Sequence, residues 1–350
     1  MSVHMKTILK TLGVAALANL SIGLATAGAA AETVLTYSTW LPPGYVLNEP
    51  VLKPWSAEVE KVTEGRVRVE WLPKAVGSAA AQFDVVHDGL ADVSIILPGY
   101  TPGRFPIMEI GELPLLENDP AVLSPSFYRV YDQYLKQLKP FEGTHVLSIW
   151  ASTPTHIVND SAIITDVAQL KGMKMRAPSA TAVAIMNQLG IVPIQKPVSE
   201  MYELASTGVV DGTFFPFNPI LDWKVQDIFK YVTVVDGGLG QSVLALLVNE
   251  RKWNAISEED RAAIMEISGE KLSLAAGKVY AKGEETSRKA LEEGGVTIKD
   301  ASAELMTQIE KALEPIDQAW IKKAEEEGLA NAGEVLKAFR AELDKGAGAN

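Results

Sequence analysis

Apolar and polar positions along the chain switch repeatedly between two periods. Thr33-Val-Leu-Thr-Tyr37 reads as a strand, and Ser38-Thr-Trp40-Leu-Pro42-Pro43-Gly44 as the turn at its end. From Pro50 to Val62 the spacing becomes helical, with Val51, Trp55, Val59 and Val62 on one face. Arg66 to Trp71 sets charge against valine at alternate positions, as a half-buried strand does. Gly77 to Asp88 returns as a helix, and Val93 to Leu97 is a short apolar strand. Strand, helix, strand, helix, strand predicts an α/β lobe.

The stretch from Asp166 to Asn218 repeats that grammar with sharper punctuation. Asp166-Val-Ala-Gln169 has the spacing of a capping box and Gly172 supplies a stop. A strand follows from Met173 to Arg176; Pro178 and Ser179 break it and open a helix over Thr181 to Leu189; Gly190 closes the helix ahead of Ile191-Val-Pro-Ile194. Arg176 therefore stands at a strand's carboxyl end beside a helix N-terminus, where open α/β sheets bind ligands and where an anion is favoured. The reading is that Arg176 holds a carboxylate. Phe83-Asp-Val-Val-His-Asp-Gly89-Leu-Ala-Asp92 and Tyr202-Glu-Leu-Ala-Ser-Thr-Gly208-Val-Val-Asp211 share one pattern of helix end, glycine and aspartate before a strand, which fits two similar lobes. Leu147 to His156 and Asp236-Gly-Gly-Leu-Gly240 are the candidate crossings between them. From Ser257-Glu-Glu-Asp260 a long helix begins, Val296-Thr-Ile298 is a short strand, Ala303 to Glu327 is another long helix, and Gly346 to Asn350 should fray.

The first 31 residues carry Lys6 and Lys10, no acid, an apolar run from about Leu12 to Ala25 and small residues through Ala31. They read as a secretory signal peptide cut after Ala29 or Ala31; the run is short for a membrane span and is diluted by Asn19, Ser21 and Gly23. The remainder holds 30 basic and 44 acidic residues, a formal charge of −14. So acidic a chain is a poor partner for nucleic acid or anionic lipid, although one local arginine pocket still outweighs distant, screened charge. Cysteine is absent, which excludes thiol catalysis, cysteine metal sites and disulfides. About 320 residues exceed one comfortable core, which again argues for two lobes.

These landmarks together resemble the solute-binding proteins of tripartite ATP-independent periplasmic (TRAP) transporters. The resemblance is carried by Val67-Arg-Val-Glu-Trp-Leu-Pro73, Val86-His-Asp-Gly89-Leu-Ala-Asp92, Leu170-Lys-Gly-Met-Lys-Met-Arg176-Ala-Pro178, Leu189-Gly-Ile-Val-Pro193 and Glu200 through Gly212, in that order behind the signal peptide. It implies a two-lobed periplasmic binding protein fold of α/β class with crossing strands and a long C-terminal helix. Lobe I would take 32–151 plus about 242–280, and lobe II 152–241 plus about 281–345 with the spanning helices. The family's carboxylate-clamping arginine falls on Arg176 and its ligand-holding asparagine on Asn218 of Phe217-Asn-Pro219. Where sialic acid binders carry a second ligand arginine, this chain has His156, which reaches less far and loses its charge near neutrality.

Trp40, Tyr100, Trp150, Phe215 and Phe217 all fall at predicted strand ends, the makings of an aromatic-walled pocket for a monocarboxylate. Arg176 suits the clamp because its planar fork gives two parallel hydrogen bonds and stays charged. The ligand set expected is Arg176, Asn218, Trp40, Trp150, His156, Phe215 and Tyr100, with no metal and no cofactor. The histidines show no His-Glu-x-x-His spacing, Gly237-Gly-Leu-Gly240 lacks the Walker lysine and the dinucleotide spacing, and no Gly-x-Ser-x-Gly elbow occurs. The leading expectation is a monomeric periplasmic receptor that delivers a small organic acid to TRAP membrane subunits. An exported α/β hydrolase acting on small or carbohydrate substrates is the competing reading, since a carboxylate pair assembled from distant segments leaves no sequence motif. A receptor reporting to a membrane sensor kinase would look the same in sequence.

Overall fold

The computed structural model describes residues 32–347, so the expected signal peptide lies outside the described residues. The chain enters as β1 (Thr33–Ser38), with β2 (Val67–Trp71) and β3 (Val93–Ile96) parallel to it on either side. Helix α1 (Lys53–Val62) crosses from β1 to β2 with Trp55 and Val59 buried, and α2 (Gln82–His87) leads into β3. Helix α3 (Pro120–Val130) then precedes β4 (Thr144–Ala151). The apolar spacing in the sequence marks no helix at α3. It starts with Asp119 accepting from the Ala121 amide and with Pro120 in its first turn, a good N-terminus, and it tolerates Pro125 further in.

After β4 the chain passes to a second sheet. β5 (His156–Asn159), β6 (Lys174–Ala177), β7 (Val192–Gln195), β8 (Gly212–Phe215) and β9 (Tyr231–Val234) come in turn, with α4 (Ala180–Gln188), α5 (Met201–Ser206) and α6 (Phe217–Asp222) between them. β6 runs parallel to β7 and β8, while β5 is antiparallel to β8 and β9. β7 contains Pro193 and occupies the sheet's edge, where a missing amide is tolerated. The chain then returns as β10 (Val243–Asn249), which inserts antiparallel between β3 and β4 and completes a sheet ordered β2-β1-β3-β10-β4. The expected short strand near Val296 is β11 (Thr297–Asp300), which joins the edge of the second sheet beside β9.

The result is a two-lobed α/β fold, and its two halves use the repeated aspartate alike. Asp92 accepts from the Thr36 amide at 2.8 Å and Asp211 from the Lys174 amide at 2.7 Å, each tying a helix end to the parallel strand before it. Gly89 and Gly208 precede them at φ +76° and +68°, a backbone that favours glycine. At the crossings the two segments lie side by side: Ser152 N donates to Ser242 O at 2.8 Å, Thr155 N to Gly240 O at 2.8 Å, and Leu239 N to Thr155 O at 2.9 Å.

The helix expected to begin at Ser257 is interrupted. After α7 (Glu250–Ala255), α8 (Glu258–Ile267) stops at Ser268, Gly269 takes φ +54°, and α9 (Gly269–Glu293) sets off anew. The break is pinned by Trp55 Nε1 donating to Ser268 Oγ and by Ser148 Oγ donating to Gly269 O. With 25 residues, α9 is about 37 Å long at 1.5 Å per residue. It reaches from β4 and α3 at one end to α6 at the other. Helices α10 (Ala303–Glu326) and α11 (Ala332–Ala347) cover a core that runs from Ile96, Ile149 and Leu247 of the first sheet to Met175 and Phe214 of the second. Helix α11 runs through Ala347, with Gly346 close against Val122; the rest of the segment expected to fray, 348–350, lies outside the described residues.

Candidate functional site

The carboxyl ends of β1, β3, β6 and β8 converge on one cavity between the two sheets, enclosing about 670 Å³ of atom-free space with its mouth included. That is within the range of small-molecule sites. Arg176, the third residue of β6, enters it with only 2% of its surface exposed. Its backbone is fixed between β7 and β8, with the Thr213 hydroxyl donating to Arg176 O at 3.0 Å. Its side chain is partly engaged. Nε donates to Lys196 O at 2.7 Å, and the guanidinium carbon lies 5.7 Å from the Phe215 ring centre. Nη2 is buried with no hydrogen-bond partner among the described residues. Burial lowers its pKa and the nearby Tyr100 phenol raises it in part. Arginine starts so high that the group remains a cation.

Tyr100 and Trp40 come from turns after β3 and β1 and form a tilted pair 5.7 Å apart. Trp40 is held by Nε1 donating to Ile95 O at 2.9 Å, and the Tyr100 hydroxyl accepts from Val198 N at 3.2 Å, a bond between the lobes. Leu97, Leu244 and Phe215 complete an apolar wall. Among the described residues lining the cavity, Arg176 is the one cationic side chain.

Asn218 also lines the cavity and is positioned from α9. The Glu284 carboxylate accepts from the amides of Phe217 and Asn218, and Ser287 Oγ donates to Asn218 Oδ1. Gly283 leaves room for this, since a Cβ there would lie 2.7 Å from Asn218 Nδ2. Burial raises the Glu284 pKa to about 7 against the two amides that lower it. Tyr45 and Tyr280 share a hydrogen bond between their hydroxyls at another part of the wall, where Asp222 stands near both. Burial alone raises the Asp222 pKa to about 6.

A cationic, aromatic-walled cleft between two α/β lobes is a receptor's geometry, and the comparisons agree. The sequence model for bacterial extracellular solute-binding proteins, family 7, matches residues 37–323. The chain belongs to this family. A TRAP periplasmic solute-binding protein from Bordetella bronchiseptica, solved with bound (R)- and (S)-mandelate, is 32% identical, superposes with a TM-score of 0.86, and matches over 89% of this chain and 99% of its own. A marine-metagenome TRAP solute-binding protein specific for aromatic acid ligands, in complex with 3-hydroxybenzoate, is 29% identical with a TM-score of 0.83 over 90% and 99%. The C4-dicarboxylate-binding periplasmic protein of Rhodobacter capsulatus is 25% identical over 89% of this chain and 93% of its own length. The family consists of substrate-binding receptors of TRAP transporters and not enzymes, which sets the hydrolase reading aside. No helix among the described residues is long and apolar enough to cross a membrane.

In this solute-binding protein Arg176, Asn218, Trp40, Tyr100 and Phe215 meet in one cavity, and two of the residues expected there lie elsewhere. Trp150 is fully buried in the core of the first lobe, paired across the sheet with Leu244. His156 lines a separate groove with Phe217, Glu284 and Arg288. Its ring packs 5.2 Å from that of Phe217, Val235 N donates to Nδ1 at 3.4 Å, and burial lowers its pKa to about 4, so it is neutral at physiological pH. Sequence reasoning passed over Tyr45, Asp222, Tyr280 and Glu284. A helical signal existed for three of them: Tyr280 and Glu284 are four apart on one long helix, and Asp222 is four after Asn218.

Proposed function

We propose that this receptor binds an aromatic monocarboxylate and delivers it to the membrane subunits of a TRAP transporter. The observation that carries the reading is Arg176, a buried guanidinium with a free Nη2 edge inside an aromatic-walled cavity. A carboxylate would accept from that edge, and Trp40, Tyr100 and Phe215 would cover its apolar body. Desolvated charge pairing of this kind is worth about 1.5–3 kcal/mol per hydrogen bond, while micromolar binding needs about 8 kcal/mol. Aromatic contact and closure of the lobes therefore supply the larger share. One cation in the wall favours one carboxylate, so the mandelate and hydroxybenzoate receptors are nearer guides to the ligand than the dicarboxylate one.

Closure would turn on the paired crossings at 152–155 and 239–242, with the lobes divided as 32–151 plus about 242–280 against 152–241 plus about 281–345. Asn218 would hold the ligand from the second lobe while Glu284 fixes its backbone. The working form would be a monomer in the periplasm, exported by residues 1–31.

The test is a thermal-shift screen of the purified protein against a panel of carboxylates, followed by chromatography of the incubated acids. An aromatic monocarboxylate that raises Tm and is recovered unchanged is the expected result. Stabilisation by C4 dicarboxylates alone would overturn the ligand class, and conversion of the acid would overturn the receptor reading.

A further inference from the structure

The cavity contains a charge that a simple benzoate would leave unused. Asp222, at the last position of α6, lines the same cavity as Arg176 and is half-buried, and its side chain makes no hydrogen bond or ion pair among the described residues. In the same cavity the hydroxyls of Tyr45 and Tyr280 are bonded to each other, and the Asp222 charge adds to the burial that raises both phenol pKa values. The two charged groups sit in different company. Arg176 is among Tyr100, Phe215 and Lys196; Asp222 is beside the tyrosine pair that comes from the turn after β1 and from α9.

A half-buried carboxylate with no donor from the protein is costly when a ligand displaces the water around it without replacing its hydrogen bonds. The protein brings none, so the donor falls to the ligand. We propose that Asp222 and the Tyr45–Tyr280 pair form a second polar pole of the cavity, which accepts a hydrogen bond from a hydroxyl on the ligand and repels a second carboxylate. The inference rests on the reading that Arg176 takes the ligand's carboxylate, and it narrows the substrate class to hydroxylated aromatic monocarboxylic acids. It acts as both attraction and exclusion, the usual makeup of specificity. A benzenedicarboxylate would place like charge against Asp222, while an unsubstituted ring would leave the aspartate desolvated and unpaired.

The experiment is calorimetric titration of the wild-type protein, Asp222→Asn and Asp222→Leu with benzoate, 3- and 4-hydroxybenzoate, and benzene-1,3- and benzene-1,4-dicarboxylate, with circular dichroism melts to confirm folding. In the wild type at least one hydroxybenzoate should bind about tenfold more tightly than benzoate, the yield of one charged hydrogen bond. Both dicarboxylates should bind more weakly than benzoate. Asp222→Leu should bring the hydroxybenzoate-to-benzoate ratio close to one, and Asp222→Asn should raise dicarboxylate affinity relative to benzoate. If benzoate binds but the wild type shows no preference for either hydroxybenzoate, or the preference survives in Asp222→Leu, the second pole is wrong while the carboxylate clamp stands. If no aromatic monocarboxylate binds the wild type, the clamp reading fails and takes this one with it. The wild-type comparison decides the matter even where a variant does not fold.

Discussion

Arg176 has one part of its fork committed to Lys196 O and another free, so its direction is set before any ligand arrives. Preorganisation of this kind reduces the entropy lost on binding. Phe215 lies beneath it, its ring centre 5.7 Å from the guanidinium carbon, and in the proposed reading its ring also covers the ligand's body. Phe215→Leu should therefore weaken binding of an aromatic acid by about 1 kcal/mol, roughly fivefold in Kd by calorimetry, with little change for an aliphatic acid of similar size. Arg176 was legible because its signals are local: a strand, a proline and a helix cap in seven residues. Trp150 and His156 also stand at strand ends, but a strand end does not say how deeply a ring is buried or which neighbours claim it. Trp150 is fully buried beside Leu244 in the core of the first lobe, and Phe217 with the Val235 amide claims His156.

Helix α9 joins fold to site, and two of its glycines separate the roles. A Cβ at Gly277 would come within 2.2 Å of Pro120 O, a backbone atom on α3 that cannot step aside. Gly277→Ala should lower stability by about 1–3 kcal/mol, read as a lower Tm. At Gly283 the obstacle is the Asn218 amide, a side-chain end that can move. Gly283→Ala should keep Tm within a few degrees, because alanine gains about 0.8 kcal/mol in helix propensity, yet lose affinity by displacing Asn218. Elements with conventional punctuation could be read from the chain. The Asp166–Gln169 capping box, the Gly172 and Gly190 stops and the Ser179 cap all form, each within about a residue of expectation. The break between α8 and α9 could not, since it depends on Trp55 and Ser148, distant in sequence, holding Ser268 and Gly269.

Across the whole molecule, α/β alternation and length implied two lobes, whereas the cavity's composition needed the lobes assembled: Tyr45, Asp222 and Tyr280 meet from three separate segments. The interface between the lobes also carries a pH term. Glu112 is fully buried, and burial raises its carboxyl from 4.5 to about 8, with the Ser179 hydroxyl lowering it in part. A raised folded-state pKa means that the folded protein retains this proton while the unfolded chain gives it up. The associated stability is therefore complete below about pH 4.5 and is lost as pH rises toward 8. Glu112→Gln should remove that slope, so its Tm should gain on the wild type from pH 5 to pH 8; a constant difference would contradict the assignment.

The most direct measurement is calorimetry of Arg176→Lys with whichever aromatic monocarboxylate binds the wild type most tightly. Lysine keeps the charge and loses the fork, so the expected result is a loss of about 2 kcal/mol, some thirtyfold in Kd, with Tm preserved. Wild-type affinity in this variant would mean that the carboxylate is held elsewhere.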